Sequence, residues 1–307
     1  GLISAAFVTF TLVITDFGLP KVIGGQYNVL AIDIYKQVIG QQNFQIGAVV
    51  GLILLVPALV AFFVDHAVRV RQKALLSARS VPYVPRPAPV RDRLLLAFVL
   101  LMSVAMLAVI GMAVFGSFVK VWPYNLSLTL NHYTYGFEEA GVENAYRNSL
   151  TMAAWCALIG ALLTFAGAYW LEKTRGADLV RPIVRLQAML PMAIPGLVLG
   201  IGYILFFNNP ANPLHWLYGS MAILVLSTTI HFYSSSHLTA VTALKQLDNE
   251  FEAVSASLKV PFYKTFWRVT VPVCLPSIID ISRYYFVNAM TTISAVVFLY
   301  SPKTMLA

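Results

Sequence analysis

Few side chains in this chain of 307 residues are spaced for chemistry. Its five histidines share no metal-binding spacing: His66, His132, His215, His231 and His237. The six-residue interval between the last two does not place both rings on one helical face. Cys156 and Cys274 show neither a metal-binding spacing nor an obvious pairing. We therefore predict no catalytic residue, no metal and no cofactor.

A nucleotide-binding loop is also absent from the sequence. No GxxxxGK[ST] segment occurs, and this is the loop whose backbone and lysine hold ATP phosphates. A membrane enzyme would need a nucleophile, a metal cluster or an acid–base pair at membrane depth, and none is recognisable. If this protein performs work driven by ATP, a partner must hydrolyse the nucleotide.

The most unusual stretch is FEAVSASLKVPFYKTFWRVTVP, residues 251–272, which is polar although its surroundings are apolar. Its first part predicts a short helix with a flat face of small residues, Ala253, Ala256 and Ser257. The following KVP breaks that helix, and a second amphipathic helix ends before Pro272. A short patterned helix of this kind suits docking against another protein better than a plain connecting loop does.

The composition shows where this polar insert must lie. The chain is 59% hydrophobic and 11% charged, with a mean hydropathy of +0.75, which is typical of a bilayer protein. We predict an all-α, polytopic transmembrane helix bundle, because a helix needs about 20 apolar residues to cross the hydrocarbon. The predicted spans are 1–17, 46–64, 94–119, 149–171, 187–207, 217–239 and 276–299.

The basic residues predict the topology. Lys and Arg concentrate in 65–93, 172–185 and 241–273, so these loops should be cytoplasmic and the alternate ones outside. The formal net charge of +8 is spread by loop rather than collected on one face. We therefore expect membrane lipid, and no nucleic acid, among the partners.

A Pro- and Arg-rich segment, 71–93, divides the chain and is predicted to be a cytoplasmic linker. Aligning 15–31 with 291–307 matches Thr15 with Thr291 and both Leu-Ala pairs, which indicates an internal repeat or a chance similarity. On the repeat hypothesis, 1–70 is the C-terminal tail of a first half, and 94–307 is a second half without its final span. We accordingly expect a piece of a longer polypeptide.

The predicted span LPMAIPGLVLGIGYI should be bent by its prolines and closely packed at its glycines. Polar residues in the next predicted span either face a pathway or bond between helices. The pathway candidates are Pro191, Pro195, Gly196, Gly200, Thr228, His231 and Ser235.

The segment SASLKVPFYKTFWRVTVP resembles the EAA loop, the ATPase-coupling signature of ABC importer permeases. The resemblance implies the type I ABC importer permease fold. The glycine of the family's loop falls at Lys259, and its glutamate falls at Ala253, one residue after Glu252. The residues that the resemblance assigns to ATPase coupling are Glu252, Ala253, Ala256, Ser257, Leu258 and Lys259.

Residues 15–50 are similar to fused two-domain permeases for ferric iron and 2-aminoethylphosphonate, most of all to the 2-aminoethylphosphonate branch. The resemblance implies a bacterial inner-membrane subunit with two fused halves, a cytoplasmic ATPase dimer and a periplasmic substrate-binding protein. We expect 2-aminoethylphosphonate as the substrate, with ferric iron or another small solute as the alternative. A channel or ATP-independent secondary transporter remains open, although it leaves 251–272 unexplained.

Overall fold

The computed structural model describes residues 2–71, 87–138, 142–174, 176, 179–247 and 250–306. The chain divides into two compact units: Gly1–Gln72 with Ala145–Ala307, and Lys73–Asn144. Most of the expected linker, 72–86, lies outside the described residues. Its described end enters a helix at Pro89, because proline is well tolerated in the first turn of a helix. This helix therefore starts five residues before the predicted span at 94.

The first unit begins with four helices. They are α1 (Leu2–Thr15), α2 (Gly18–Ile23), α3 (Leu30–Tyr35) and α4 (Phe44–Arg71). A π-helical turn, Lys36–Gly40, follows α3. Helix α4 contains the predicted span 46–64, whereas α1, with 14 residues, is shorter than the predicted span 1–17.

The second unit contains one long apolar helix and a small hairpin. Its elements are α5 (Pro89–Phe118), β1 (Val119–Val121), β2 (Asn125–Leu128) and α6 (Asn131–Glu138). The strands are antiparallel, with Val119 opposite Leu128.

The first unit continues from α7 (Val142–Lys173) onward. The remaining helices are α8 (Arg181–Met189), α9 (Gly196–Phe207), α10 (Met221–His231), α11 (Tyr233–Gln246), α12 (Glu250–Ser257), α13 (Phe262–Thr265), α14 (Val271–Val273) and α15 (Leu275–Thr291). A 3-10 turn, Leu190–Met192, follows α8, and a π-helical turn, Phe266–Thr270, joins α13 to α14.

Three helices in the described part of the chain are long and apolar enough to cross a membrane: Phe44–Val64, Pro89–Phe118 and Val142–Lys173. A fourth span is possible if Arg181–Met192 and Gly196–Phe207, bent by 110°, count as one. Other predicted spans are shorter or broken: 217–239 is interrupted at Phe232, and α15 ends at Thr291 rather than 299. The fold is nevertheless that of an all-α, polytopic membrane protein.

The main core of the first unit combines residues from both ends of the chain. Phe17 and Ile34 are buried in the same cluster as Leu197, Leu224 and Val296. A smaller cluster lies between α7, α11 and α15 and includes Phe165, Leu244 and Tyr285. The segment before the linker is therefore packed with the segment that follows α7.

Candidate functional site

The polar insert folds as the sequence predicts, into a short helix, a break and a second helix. The first helix is α12, and the break lies at 258–261, before α13 begins at Phe262. Along one side of α12 the small residues Ala253, Ala256 and Ser257 are exposed. The flat face therefore lies on the surface of the unit and is accessible to another protein.

A Schellman motif ends α12 at Lys259. The Lys259 N–H donates to the Ala256 carbonyl at 3.1 Å, and the Val260 N–H donates to the Ser255 carbonyl at 2.9 Å. Lys259 has a φ of 53°, in the left-handed region that glycine adopts most easily. This is the position at which the family resemblance has glycine, and Lys259 keeps the backbone shape that the glycine would provide.

Glu252 lies one turn before Ala256 on α12, at the edge of the small-residue face. Its Oε2 atom is 3.6 Å from the Lys173 ammonium at the end of α7. The Ser255 hydroxyl forms a hydrogen bond with the Thr265 hydroxyl of α13. A cleft of about 610 Å³ separates α12 from the end of α7, and both charged residues line it. The structure therefore places Glu252 where it connects α12 to the end of α7, and Ala253 and Ala256 line the same cleft.

The turn after α13 is anchored on the same span. The Phe266 ring lies 4.8 Å from the Tyr169 ring and 6.0 Å from the Phe165 ring, both on α7. Aromatic contacts at these distances stabilise a tilted arrangement. The insert consequently rests on α7 at two places, an ion pair and an aromatic cluster.

The bend between α8 and α9 occurs where the prolines predict it. Pro191 lies in the 3-10 turn and Pro195 directly precedes α9. A methyl group added at Gly196 would lie 2.6 Å from Ser294 Oγ, and one at Gly200 would lie 3.1 Å from the Phe298 ring. Both glycines therefore permit the close packing that the sequence predicts.

The three polar pathway candidates lie in α10 and α11. Thr228 is fully buried in α10, and its hydroxyl has no hydrogen-bond partner among the described residues. His231 is partly buried, with its ring 4.7 Å from the Phe232 ring. Ser235 is partly buried in α11. Their role in a pathway remains a prediction.

Neighbouring serines, which the sequence analysis did not single out, stabilise the broken span. Ser234 Oγ accepts a hydrogen bond from the Met192 N–H at 3.1 Å and donates one to the Ala188 carbonyl at 2.8 Å. Ser227 donates to the Ala295 carbonyl at 2.7 Å. The two Ser234 bonds satisfy backbone groups beside the break between α8 and α9, and the Ser227 bond joins α10 to the segment after α15. The signal in the sequence was the serine-rich run itself, which does not tell one serine from the next.

The two ends of α7 separate the loops into two groups. At its start, the Asn148 amide donates to the carbonyls of Lys303 and Met305. At its end, Lys173 contacts Glu252, and Glu172 pairs with Arg185 of α8 at 2.9 Å. A helix of 32 residues is about 48 Å long. The basic loops 172–185 and 241–273 therefore lie together at one end, as the charge distribution requires.

No cluster of three or more His, Cys, Asp or Glu side chains that could hold a metal occurs among the described residues. The Asp280 carboxylate and the Arg283 guanidinium, three residues apart on α15, are 3.1 Å apart and both exposed, so they form a surface ion pair.

Comparisons with known proteins agree with this architecture. The chain is 29% identical over its whole length to the ferric transport system permease protein of Actinobacillus pleuropneumoniae. It is 28% identical over 99% of its length to a putative ferric transport system permease protein of Haemophilus influenzae. These matches cover 45% and 48% of the two relatives, so the chain spans about half their length.

A third relative names a different solute. Over 53% of this chain, the molybdate/tungstate transport system permease protein of Pyrococcus abyssi is 28% identical. No protein-family profile matches the chain. It is a multi-pass inner-membrane protein. Its similarity to these permeases supports the hypothesis that the chain is part of an importer permease. The names of the three relatives mention no phosphonate.

Proposed function

We propose that this chain is part of the permease subunit of an ATP-driven importer and that α12 docks on a separate cytoplasmic ATPase. One observation supports this most directly: α12 exposes a small-residue face and is closed by a left-handed residue at the position of the family glycine. The similarity to transport-system permeases agrees with this role.

The mechanism follows from the position of α12 at one end of α7. Closure of an ATPase dimer would move α12, and the two anchor points on α7 would carry that movement into the membrane helices. The ATPase supplies the energy, and this chain supplies no hydrolytic group. A periplasmic binding protein would deliver the solute at the opposite end of α7.

Ferric iron is the better-supported substrate. The two relatives that match nearly the whole chain are ferric transport permeases, whereas the resemblance noted in the sequence favoured 2-aminoethylphosphonate. We therefore propose ferric iron, in place of 2-aminoethylphosphonate, as the substrate. Specificity in such importers would rest largely with the binding protein, so molybdate remains the second candidate.

The structure also supports the proposal that the chain joins parts of two homologous halves. The Thr15 hydroxyl donates to the Thr11 carbonyl at 2.8 Å, and the matched Thr291 hydroxyl donates to the Val287 carbonyl at 3.1 Å. Both helices end at these matched threonines. On this proposal 1–70 ends the first half, 71–93 links the halves, and 94–307 belongs to the second.

Co-purification tests the ATPase partner. The full permease containing this chain should retain a nucleotide-binding subunit, and Ala256→Arg on the exposed face of α12 should release it, because a long charged side chain prevents close docking. Asn208→Arg, an exposed residue after α9, is the matched control and should change nothing. Retention of the ATPase by Ala256→Arg would contradict docking at this face.

Uptake into vesicles tests the substrate and the energy source. With the binding protein present, radiolabelled ferric iron should accumulate only when ATP is supplied, and excess molybdate or 2-aminoethylphosphonate should not compete. If molybdate or 2-aminoethylphosphonate competes, that solute is the substrate in place of ferric iron. Accumulation without ATP would favour the channel or secondary transporter.

A further inference from the structure

Lys173, the last residue of α7, links three elements and was not singled out by its sequence context. Its side chain is only 4% exposed, although lysine is rarely buried without a partner. The ammonium lies 3.6 Å from Glu252 Oε2 and donates a hydrogen bond to the Leu247 carbonyl at 3.1 Å. One cation thus contacts both α12 and the residue that follows α11.

The Glu252 carboxylate depends on this cation. Its side chain is 21% exposed, but Oε2 is shielded from solvent and accepts no hydrogen bond from the described residues. A shielded carboxylate oxygen without a hydrogen bond needs a nearby positive charge. Removing the Lys173 ammonium would therefore favour a displaced α12 in which Glu252 reaches water.

The body of α7 connects this contact to the membrane helices. The Thr164 hydroxyl hydrogen-bonds with the Tyr285 hydroxyl of α15 at 2.9 Å. Two turns earlier, the Cys156 thiol donates to the Val225 carbonyl of α10 at 3.7 Å. A displacement of Lys173 would therefore move α7, which is hydrogen-bonded to both α10 and α15.

We propose that Lys173 is the positioning residue that couples α12 to the spans, with the Lys173–Glu252 pair as the connection that transmits movement. This inference rests on the proposed function. It assigns Glu252 to the connection between α12 and α7, whereas the exposed small residues of α12 contact the ATPase. Loss of the pair should leave the ATPase bound and uncouple its hydrolysis from transport.

A neighbouring ion pair provides a matched control. Glu172 is adjacent to Lys173 on α7 and pairs with Arg185 of α8 at 2.9 Å, where the Arg185 side chain is 57% exposed. Arg185→Gln removes an ion pair from the same turn of α7 but does not touch α12. The Glu172 side chain is 14% exposed, against 21% for Glu252, so this variant also leaves a shielded carboxylate without its cation. Its ratio of solute transported to ATP hydrolysed should stay near the wild-type value, because this pair joins α7 to α8 and not to α12.

The experiment uses the full permease with its ATPase and binding protein in proteoliposomes, and measures solute transported per ATP hydrolysed. We expect Lys173→Met to retain the ATPase and its hydrolysis but to lower this ratio on the order of tenfold, a usual size for coupling between sites. The exchanged pair, Lys173→Glu with Glu252→Lys, should restore most of the ratio. A purely structural role would instead lower the amount of assembled complex and leave the transport ratio of the assembled fraction unchanged in Lys173→Met.

The outcomes separate the two proposals. A wild-type complex that binds no ATPase contradicts the proposed function itself. If the ATPase binds and Lys173→Met transports with the wild-type ratio, the coupling role of Lys173 is wrong. If Lys173→Met does not accumulate in the membrane, the exchanged pair decides: a restored ratio supports the inference, and an assembled but uncoupled exchanged pair contradicts it.

Discussion

At the scale of single residues, the conformation of Lys259 carries the clearest energetic consequence. A left-handed backbone costs a residue with a Cβ roughly 1 kcal/mol relative to glycine. Lys259 bears this cost, because the Schellman bonds to Ala256 and Ser255 require that conformation. The cap therefore reverses the chain between α12 and α13 although it lacks the residue best suited to it.

Lys259→Gly should strengthen this cap by up to about 1 kcal/mol, because glycine adopts the same φ without strain; greater freedom of the unfolded chain offsets part of the gain. Hydrogen exchange of the Val260 amide, which donates to Ser255, should become slower. Lys264→Gly is the matched control: Lys264 is an exposed lysine within α13, and glycine there should destabilise the helix. Faster Val260 exchange in Lys259→Gly would contradict the assigned strain.

The residues also show what the sequence could and could not reveal. The helix, its break and the special position of Lys259 follow from local pattern and family resemblance. The inward direction of Glu252 does not, since its partner Lys173 is distant in the chain and only the fold brings them together. The same limit explains why Ser234 was not distinguished from Ser235.

At the scale of elements, the bend between α8 and α9 determines how closely α9 packs. Prolines predicted the bend, but its 110° angle depends on tertiary hydrogen bonds from Ser234 that no local pattern encodes. The glycines of α9 then differ from one another. Gly196 faces Ser294 closely, whereas a methyl group at Gly202 would meet nothing within 4 Å.

Gly196→Ala should destabilise the permease by about 1–3 kcal/mol, because the added methyl would be 2.6 Å from Ser294 Oγ and 3.1 Å from the Ala295 nitrogen. Gly202→Ala adds the same methyl to the same helix in open space, so it should be neutral or slightly stabilising through helix propensity. Thermal unfolding of the purified protein measures both. Equal melting temperatures for the two variants would show that α9 does not pack as described.

At the scale of the molecule, the segment before the linker and the segment after α7 share one core. The Tyr35 ring lies 5.1 Å from the Phe17 ring and 6.3 Å from the Phe298 ring. Composition and periodicity predict the helices on either side, yet they do not predict that 2–71 packs against 292–299. That packing brings the two segments aligned as a repeat next to each other.

A cross-link tests this packing directly. A methyl group at Gly18 would lie 3.7 Å from the Ile293 Cδ1 atom, so cysteines at these two positions should join readily through a short thiol cross-linker. Gly25→Cys paired with Ile293→Cys is the control, because Gly25 has nothing within 4 Å of an added Cβ. The natural Cys156 and Cys274 are buried and should not compete.

Cleavage of the linker at 71–93 by protease should leave the Gly18–Ile293 product as one band on a denaturing gel. Two separate fragments would contradict the shared core.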